Sequence, residues 1–229
     1  MRGLYLVTDR ALCGHRTVEE LVLMALRGGA ACIQLREKDL STRAFVEEAQ
    51  RIKAMMAPFQ AFLIINDRID VALAAGAHGV HIGQQDMPCE IARKLLGPRA
   101  LIGLSVETWE DVERAEALDV DYLGVSPVFE TPTKTDTKGH WGSEGLSRIR
   151  AATRRPLVAI GGLNASNAAD AIRAGADGVA VVSAICAADD PYQAAWELHD
   201  IIQSALEQRV EWAPTGSPSR QGCLDWIGH

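Results

Sequence analysis

The chain predicts a single α/β domain, a (β/α)8 TIM barrel, because short apolar strands alternate with helices along its 229 residues. Two observations carry this expectation. A quasi-repeat, in which a helix ends at Gly or a similar turn residue and feeds straight into an apolar strand, occurs at residues 28–35, 75–82, 118–125 and 174–181. One further apolar run lies between successive copies, at 62–65, 101–104 and 157–160, and another at 4–7 precedes them all. Eight strands spaced by about two dozen residues suit alternating strand and helix with short connections. A doubly wound open sheet also fits this alternation, but the Gly-x-Gly-x-x-Gly that often follows its first strand is missing.

The first strand begins almost at the amino terminus, and its apolar run is too short for a signal peptide or a membrane span. The expected location is cytoplasmic. Gly29, Gly76 and Gly175 stand at equivalent points of the repeat, with Asp119 in the third copy, and each Gly can end its helix in the left-handed conformation. The second strand runs into Gln34-Leu35-Arg36-Glu37-Lys38, where alternation projects Gln34, Arg36 and Lys38 together. Two cations and an amide so placed await an anion. Helical periodicity follows in Phe45, Ala49, Ile52 and Met56, and later in Val112, Ala115 and Leu118.

Polar residues follow the remaining strands, where barrels of this class carry their active sites. Asn66 and Asp67 follow the third and Asp86 the fourth, and two carboxylates on one rim suit a hard cation such as Mg2+. Asp67 equally suits the N-cap of the helix that starts near Arg68. His78 and His81 are three apart along a strand, hence on opposite faces and unable to share a metal. Ser105 follows the fifth strand. The connection from about Ser126 to Trp141, with Thr131, Pro132, Thr133 and Lys134, is long for its class and reads as a lid whose hydroxyls, amides and lysine suit phosphate. Gly161-Gly162 after the seventh strand and Val182-Ser183 after the eighth are placed to cradle a phosphate with backbone N–H groups.

A composition that is 48% apolar supports one large core, and a net charge of −7 with a pI near 5.4 argues against general affinity for nucleic acid or acidic lipid. An anionic ligand must therefore meet local cations. Five scattered cysteines without a Cys-x-x-Cys pair read as reduced structural thiols. The barrel is expected to occupy residues 1–208 and a tail without periodicity residues 209–229, with Trp212 and Trp226 able to pack on the barrel or on a neighbouring chain.

From residue 4 to 185 the chain resembles the thiamine phosphate synthase family. The resemblance lies in Leu-Tyr-Leu-Val-Thr-Asp, Gln-Leu-Arg-Glu-Lys, Ile-Asn-Asp-Arg, Gly-Val-His-Ile-Gly-Gln-Gln-Asp, Ile-Gly-Leu-Ser, Ser-Pro-Val-Phe-Glu-Thr-Pro-Thr-Lys, Ala-Ile-Gly-Gly-Leu and Val-Val-Ser-Ala-Ile, in that order. It implies a transferase of thiamine biosynthesis that joins 4-amino-2-methyl-5-pyrimidinylmethyl diphosphate to a hydroxyethylthiazole phosphate and releases pyrophosphate. By the same resemblance Gln34, Arg36, Lys38, Asn66, Ser105 and Lys134 would bind the pyrimidine diphosphate, and Asp67 and Asp86 would hold Mg2+. Thr131, Pro132, Thr133, Gly162, Val182 and Ser183 would cradle the thiazole phosphate. Arg36, Lys38, Ser105 and Lys134 are the residues expected to act on the reacting groups. Ser126 stands where the family often has Gly, which removes no ligand. A related thiazole tautomerase, a non-catalytic metabolite sensor and a phosphosugar isomerase or epimerase would each keep the cradle at the last two strands. They leave the cation and carboxylate positions without a task.

Overall fold

A computed structural model describes residues 1–130 and 140–211. Eight parallel strands close in sequence order into a barrel: β1 (Gly3–Val7), β2 (Cys32–Leu35), β3 (Phe62–Asn66), β4 (Gly79–Ile82), β5 (Leu101–Val106), β6 (Tyr122–Val125), β7 (Leu157–Ile160) and β8 (Gly178–Val181). The closing pair β1 and β8 aligns Gly3 with Gly178 and Tyr5 with Ala180. Closure excludes the open sheet, because neither β1 nor β8 is left with an unpaired edge.

The helices α1 (Val18–Arg27), α2 (Thr42–Met56), α3 (Ile69–Ala75), α4 (Cys89–Leu96), α5 (Trp109–Ala115), α6 (Gly142–Ala152), α7 (Ala168–Arg173), α8 (Ser183–Cys186) and α9 (Pro191–Glu211) complete the βα units. Their starts have local causes. Thr17 and Glu20 form a reciprocal capping box that satisfies two orphan N–H groups at the head of α1. Gly76 ends α3 in the left-handed region at φ 61 and ψ 38. Gly29 and Gly175 also take positive φ, whereas Asp119 does not. The third copy of the repeat thus turns without a left-handed residue.

Strand alternation splits the buried residues into two layers. Leu4, Leu6, Ile33, Leu35, Leu63 and Ile65 face outward against helix residues such as Phe45, Ala49 and Ile52. Tyr5, Cys32, Ile64, Tyr122, Val158 and Ala180 fill the barrel. The outer layer is continuous and apolar, as removal of that surface from water requires. The inner layer instead mixes apolar groups with two tyrosines.

Helix α9 packs on α1, α7 and β1 and closes the helical ring. Arg209 ties its end to the Ile172 carbonyl at 3.2 Å and to Asp177 at 2.9 Å. The helix runs through Glu211, across the division at 208 and 209, while Trp212 and Trp226 lie outside the described residues. Cys13, Cys32, Cys89 and Cys186 are buried and unpaired. No helix among the described residues is long and apolar enough to cross a membrane.

Candidate active site

A cavity of about 800 Å³ opens where the strands end. Its lining includes Gln34, Arg36, Lys38, Asn66, Asp67, Asp86, Ser105, Gly162, Val182 and Ser183, so the candidate residues from six strands meet in one place. Thr131, Pro132, Thr133 and Lys134 lie outside the described residues. Among the described lining, three parts differ in chemistry: a charged wall after β2, β3 and β4, a polar floor inside the barrel, and a glycine-rich wall after β7 and β8.

The charged wall keeps the side-chain alternation beyond the formal end of β2. The Arg36 N–H donates to Thr8 Oγ1 at 3.0 Å, and its guanidinium lies 3.3 Å from Asp9. Glu37 turns the opposite way, into a two-pronged bond from Arg10 at 2.8 and 3.1 Å. That clamp fixes the outer side of the segment, so Arg36 and Lys38 are directed to the cavity. Gln34 sits deeper than the two cations and is almost fully buried. Its amide donates to Tyr5 rather than reaching the rim.

Asp67 lies at φ 60, the one non-glycine residue among the described residues with positive φ. Its N–H donates to the His81 carbonyl at 2.9 Å, which holds this unfavourable backbone against β4. The helix-cap reading of Asp67 is not what the structure has: Arg68 occupies the cap of α3, and no side chain caps that helix. The Asp67 carboxylate is left to face Lys38 Nζ at 3.0 Å and the carboxyl of Asp86. Asp86 is drawn inward by the Gly83 N–H at 2.6 Å. Burial, reinforced by Asp67, raises its carboxyl above the usual range, against the pull of that N–H.

These two carboxylates fit a magnesium ion. Repulsion between them is the kind that a divalent cation relieves, and Mg2+ binds through one or two protein carboxylates, completing its shell with phosphate oxygens and water. The described residues contain no cluster of three or more His, Cys, Asp or Glu that would make a fuller cage.

To Ser105 the floor adds Tyr5, Tyr122 and His81, for which the sequence reading had no role in the site. Tyr5 and Tyr122 place their hydroxyls 2.9 Å apart, and Tyr122 meets His81 Nδ1 at 3.0 Å. His81 Nε2 lies 2.9 Å from Ser105 Oγ. Burial pushes the His81 imidazole down to about 4, with the Asp67 charge opposing, so it is neutral at neutral pH. His78 precedes β4 and accepts the Leu63 N–H at 2.8 Å, well away from this chain of contacts. The overlooked signal was glycine inside strands, which marks close approach. A Cβ at Gly103 would collide with the Tyr122 ring and lie 2.5 Å from His81 Nδ1, and one at Gly124 would lie 2.7 Å from His81 Cε1.

On the opposite wall Gly161 and Gly162 take φ 100 and 66. A Cβ on Gly161 would lie 2.7 Å from Pro127 Cβ, and one on Gly162 would strike the Glu130 carbonyl and lie 2.9 Å from Phe129 Cβ. Glycine is required here by the segment after β6, in addition to any ligand. Helix α8 starts directly after Val182, and the first-turn N–H groups of a helix lack intrahelical acceptors. Ser183 and Ala184 in that turn line the cavity.

The family model described as Thiamine monophosphate synthase matches residues 4–185. A thiamine-phosphate synthase from Albidiferax ferrireducens is 58% identical over 201 residues, covering 88% of this chain and 92% of the relative. One from Leptospira biflexa is 53% identical over 198 residues, covering 85% and 94%. Among solved structures, a thiamine phosphate pyrophosphorylase from Pyrococcus furiosus superposes with a TM-score of 0.83 at 40% identity, covering 89% of this chain and 96% of that one. This chain is therefore a member of the thiamine monophosphate synthase family.

Proposed function

We propose that the cavity condenses 4-amino-2-methyl-5-pyrimidinylmethyl diphosphate with hydroxyethylthiazole phosphate, or its carboxylated form with loss of CO2, to give thiamine phosphate and pyrophosphate. The observation that carries this reading is the pairing of two unlike anion sites in one cavity: Arg36, Lys38, Asp67 and Asp86 on one wall, Gly162, Val182 and Ser183 on the other. A reaction that holds two phosphorylated substrates needs both. A tautomerase, a sensor or an isomerase of one phosphorylated ligand accounts for the second wall alone.

The charged wall suits the leaving group. As the bond between the pyrimidine methylene and the diphosphate oxygen breaks, both electrons leave with the diphosphate, and Arg36 and Lys38 stabilise the charge that gathers there. Lys134 belongs to the same role by resemblance. Mg2+ held by Asp67 and Asp86 would supply further charge neutralisation to the diphosphate oxygens. The electron-rich aminopyrimidine spreads the positive charge left on the methylene, and the thiazole nitrogen donates its lone pair to form the new C–N bond. Asn66 and Ser105 orient the pyrimidine half, while Thr131, Pro132, Thr133, Gly162, Val182 and Ser183 fix the thiazole phosphate so that its nitrogen faces the methylene. No protein nucleophile takes part.

The barrel, residues 1–208, would be the catalytic unit, and neither nucleic acid nor a membrane would be a partner. Buried, unpaired cysteines fit a reducing cytoplasm. The test is to combine purified protein, both substrates and Mg2+ and to follow thiamine phosphate and pyrophosphate with and without a chelator. Chelator-sensitive formation of both products is expected. Binding of thiazole phosphate without turnover would overturn the synthase reading, and a covalent adduct formed with the pyrimidine diphosphate alone would overturn the dissociative route.

A further inference from the structure

The barrel floor contains one continuous run of polar contacts whose three middle members the reaction above leaves without a task. It passes from Gln34 on β2 through Tyr5 on β1, Tyr122 on β6 and His81 on β4 to Ser105 at the end of β5, with successive separations of 2.8, 2.9, 3.0 and 2.9 Å. We propose that Tyr5, Tyr122 and His81 are positioning residues that give this chain a fixed direction, presenting Gln34 as an acceptor and Ser105 as a donor, and so select an aminopyrimidine over its oxo counterpart. The selectivity rests on the synthase reading; the direction does not.

Donor identity fixes one end of the direction. The Gln34 amide nitrogen can only donate, and it donates to the Tyr5 hydroxyl. Each phenol has a single proton but can accept twice, so the separations allow either sense between the tyrosines; in the proposed direction Tyr5 donates to Tyr122 and Tyr122 donates to His81 Nδ1. A neutral imidazole that accepts at Nδ1 carries its proton on Nε2, which then donates to Ser105 Oγ. The Ser105 proton is left for the cavity, as is the Gln34 carbonyl oxygen at the other end. Tyr122 is fully buried and Tyr5 and Gln34 nearly so, while His81 and Ser105 are half-buried, and aligned bonds in such surroundings reinforce one another.

The chain is built into the fold. Gly103 and Gly124 lack the side chains that would occupy the space of the Tyr122 and His81 rings. The polarity it sets matches the proposed substrate. A 4-aminopyrimidine offers an N–H donor at C4 and a ring-nitrogen acceptor directly across the ring, suited to an acceptor at Gln34 and a donor at Ser105. A 4-oxo ring would set its carbonyl against the Gln34 oxygen.

Nitrogen-15 NMR of the full chain labelled at histidine reads the direction, with the His81 signals identified by their loss in His81→Gln. A single tautomer protonated at Nε2 is expected. Kinetics then compare the 4-amino and 4-oxo pyrimidinylmethyl diphosphates. Tyr122→Phe keeps the ring but interrupts the chain. It is expected to raise KM for the aminopyrimidine diphosphate with little change in KM for thiazole phosphate, and to reduce discrimination against the oxo compound by about tenfold or more. An Nδ1–H tautomer or a tautomer mixture in the native chain overturns the direction, and unchanged discrimination in Tyr122→Phe overturns the selectivity. If the native chain makes no thiamine phosphate from the amino compound, the synthase reading fails and takes the selectivity with it. The tautomer still decides the direction in that case.

Discussion

The two walls of the cavity offer anions opposite kinds of group. After β2, β3 and β4 the work falls to ionised side chains, Arg36, Lys38, Asp67 and Asp86, arranged so that like charges face each other and opposite charges pair. After β7 and β8 it falls to backbone, with Gly161 and Gly162 at positive φ and the start of α8 supplying N–H groups. The first arrangement suits a group whose charge grows during reaction, because mobile cations and a metal can follow that change. The second suits a phosphate that stays intact and only has to be held still. The difference teaches that one barrel end can assign binding and chemistry to separate strands.

If that division is right, truncating the charged wall has the larger effect on turnover. Asp86→Ala is expected to lower kcat on the order of 10²–10³-fold with the fold intact by circular dichroism and with thiazole phosphate affinity retained. Near-native kcat would remove the metal from this wall. Gly162→Ala should act on the other substrate, raising KM for thiazole phosphate by roughly tenfold to a hundredfold and costing about 1–3 kcal/mol of stability through its backbone conformation and the Glu130 carbonyl. An equal rise in KM for the pyrimidine diphosphate would erase the distinction between the walls.

Titration sharpens the same contrast, since the glycine wall has no ionisable side chain at Gly161, Gly162, Val182 or Ser183. His81, beneath the charged wall, is held at about 4 against an ordinary 6.5. The unfolded chain therefore takes up its proton first as pH falls. Stability is unaffected by this group above about pH 6.5 and declines toward pH 4, by about 3 kcal/mol. Denaturant titrations at pH 5 and pH 7 should show a smaller difference in His81→Gln than in the native chain; identical differences would mean that His81 is not the buried neutral group described. The smallest effect on stability is expected for Asp67→Gly, which relieves the backbone at φ 60 and gains about 0.5–1 kcal/mol, although turnover collapses with loss of the carboxylate. A loss of stability would show that the exposed Lys38–Asp67 pair is worth more than the strain it accompanies.

Much of this was legible without coordinates. The eight strands fall within one or two residues of the apolar runs, because burial on both faces forces such runs to be nearly continuous and to end where polar chemistry begins. Every described residue expected in the site lines the cavity, since the closed order of β1 to β8 brings all strand ends to one rim. The depth of Gln34 was not legible: period-two alternation says which face a side chain takes but not how far along the barrel axis it lies. For the same reason the sequence assigns Tyr5 and Tyr122 no role, and His81 is weighed only against His78 as a metal pair. Only closure of the barrel carries β1, β4 and β6 across from one another.

By itself, then, the sequence determined the barrel, the placement of its site at the strand ends and the kinds of groups present there, because these follow from local periodicity and residue chemistry. The tertiary structure alone decided that Asp67 adopts a left-handed backbone and faces Asp86 instead of capping α3. It also decided that Gly162 yields to Phe129 and Glu130, and that five polar side chains from five strands meet in one line. Such facts depend on distances between residues far apart in the chain, which no local pattern encodes.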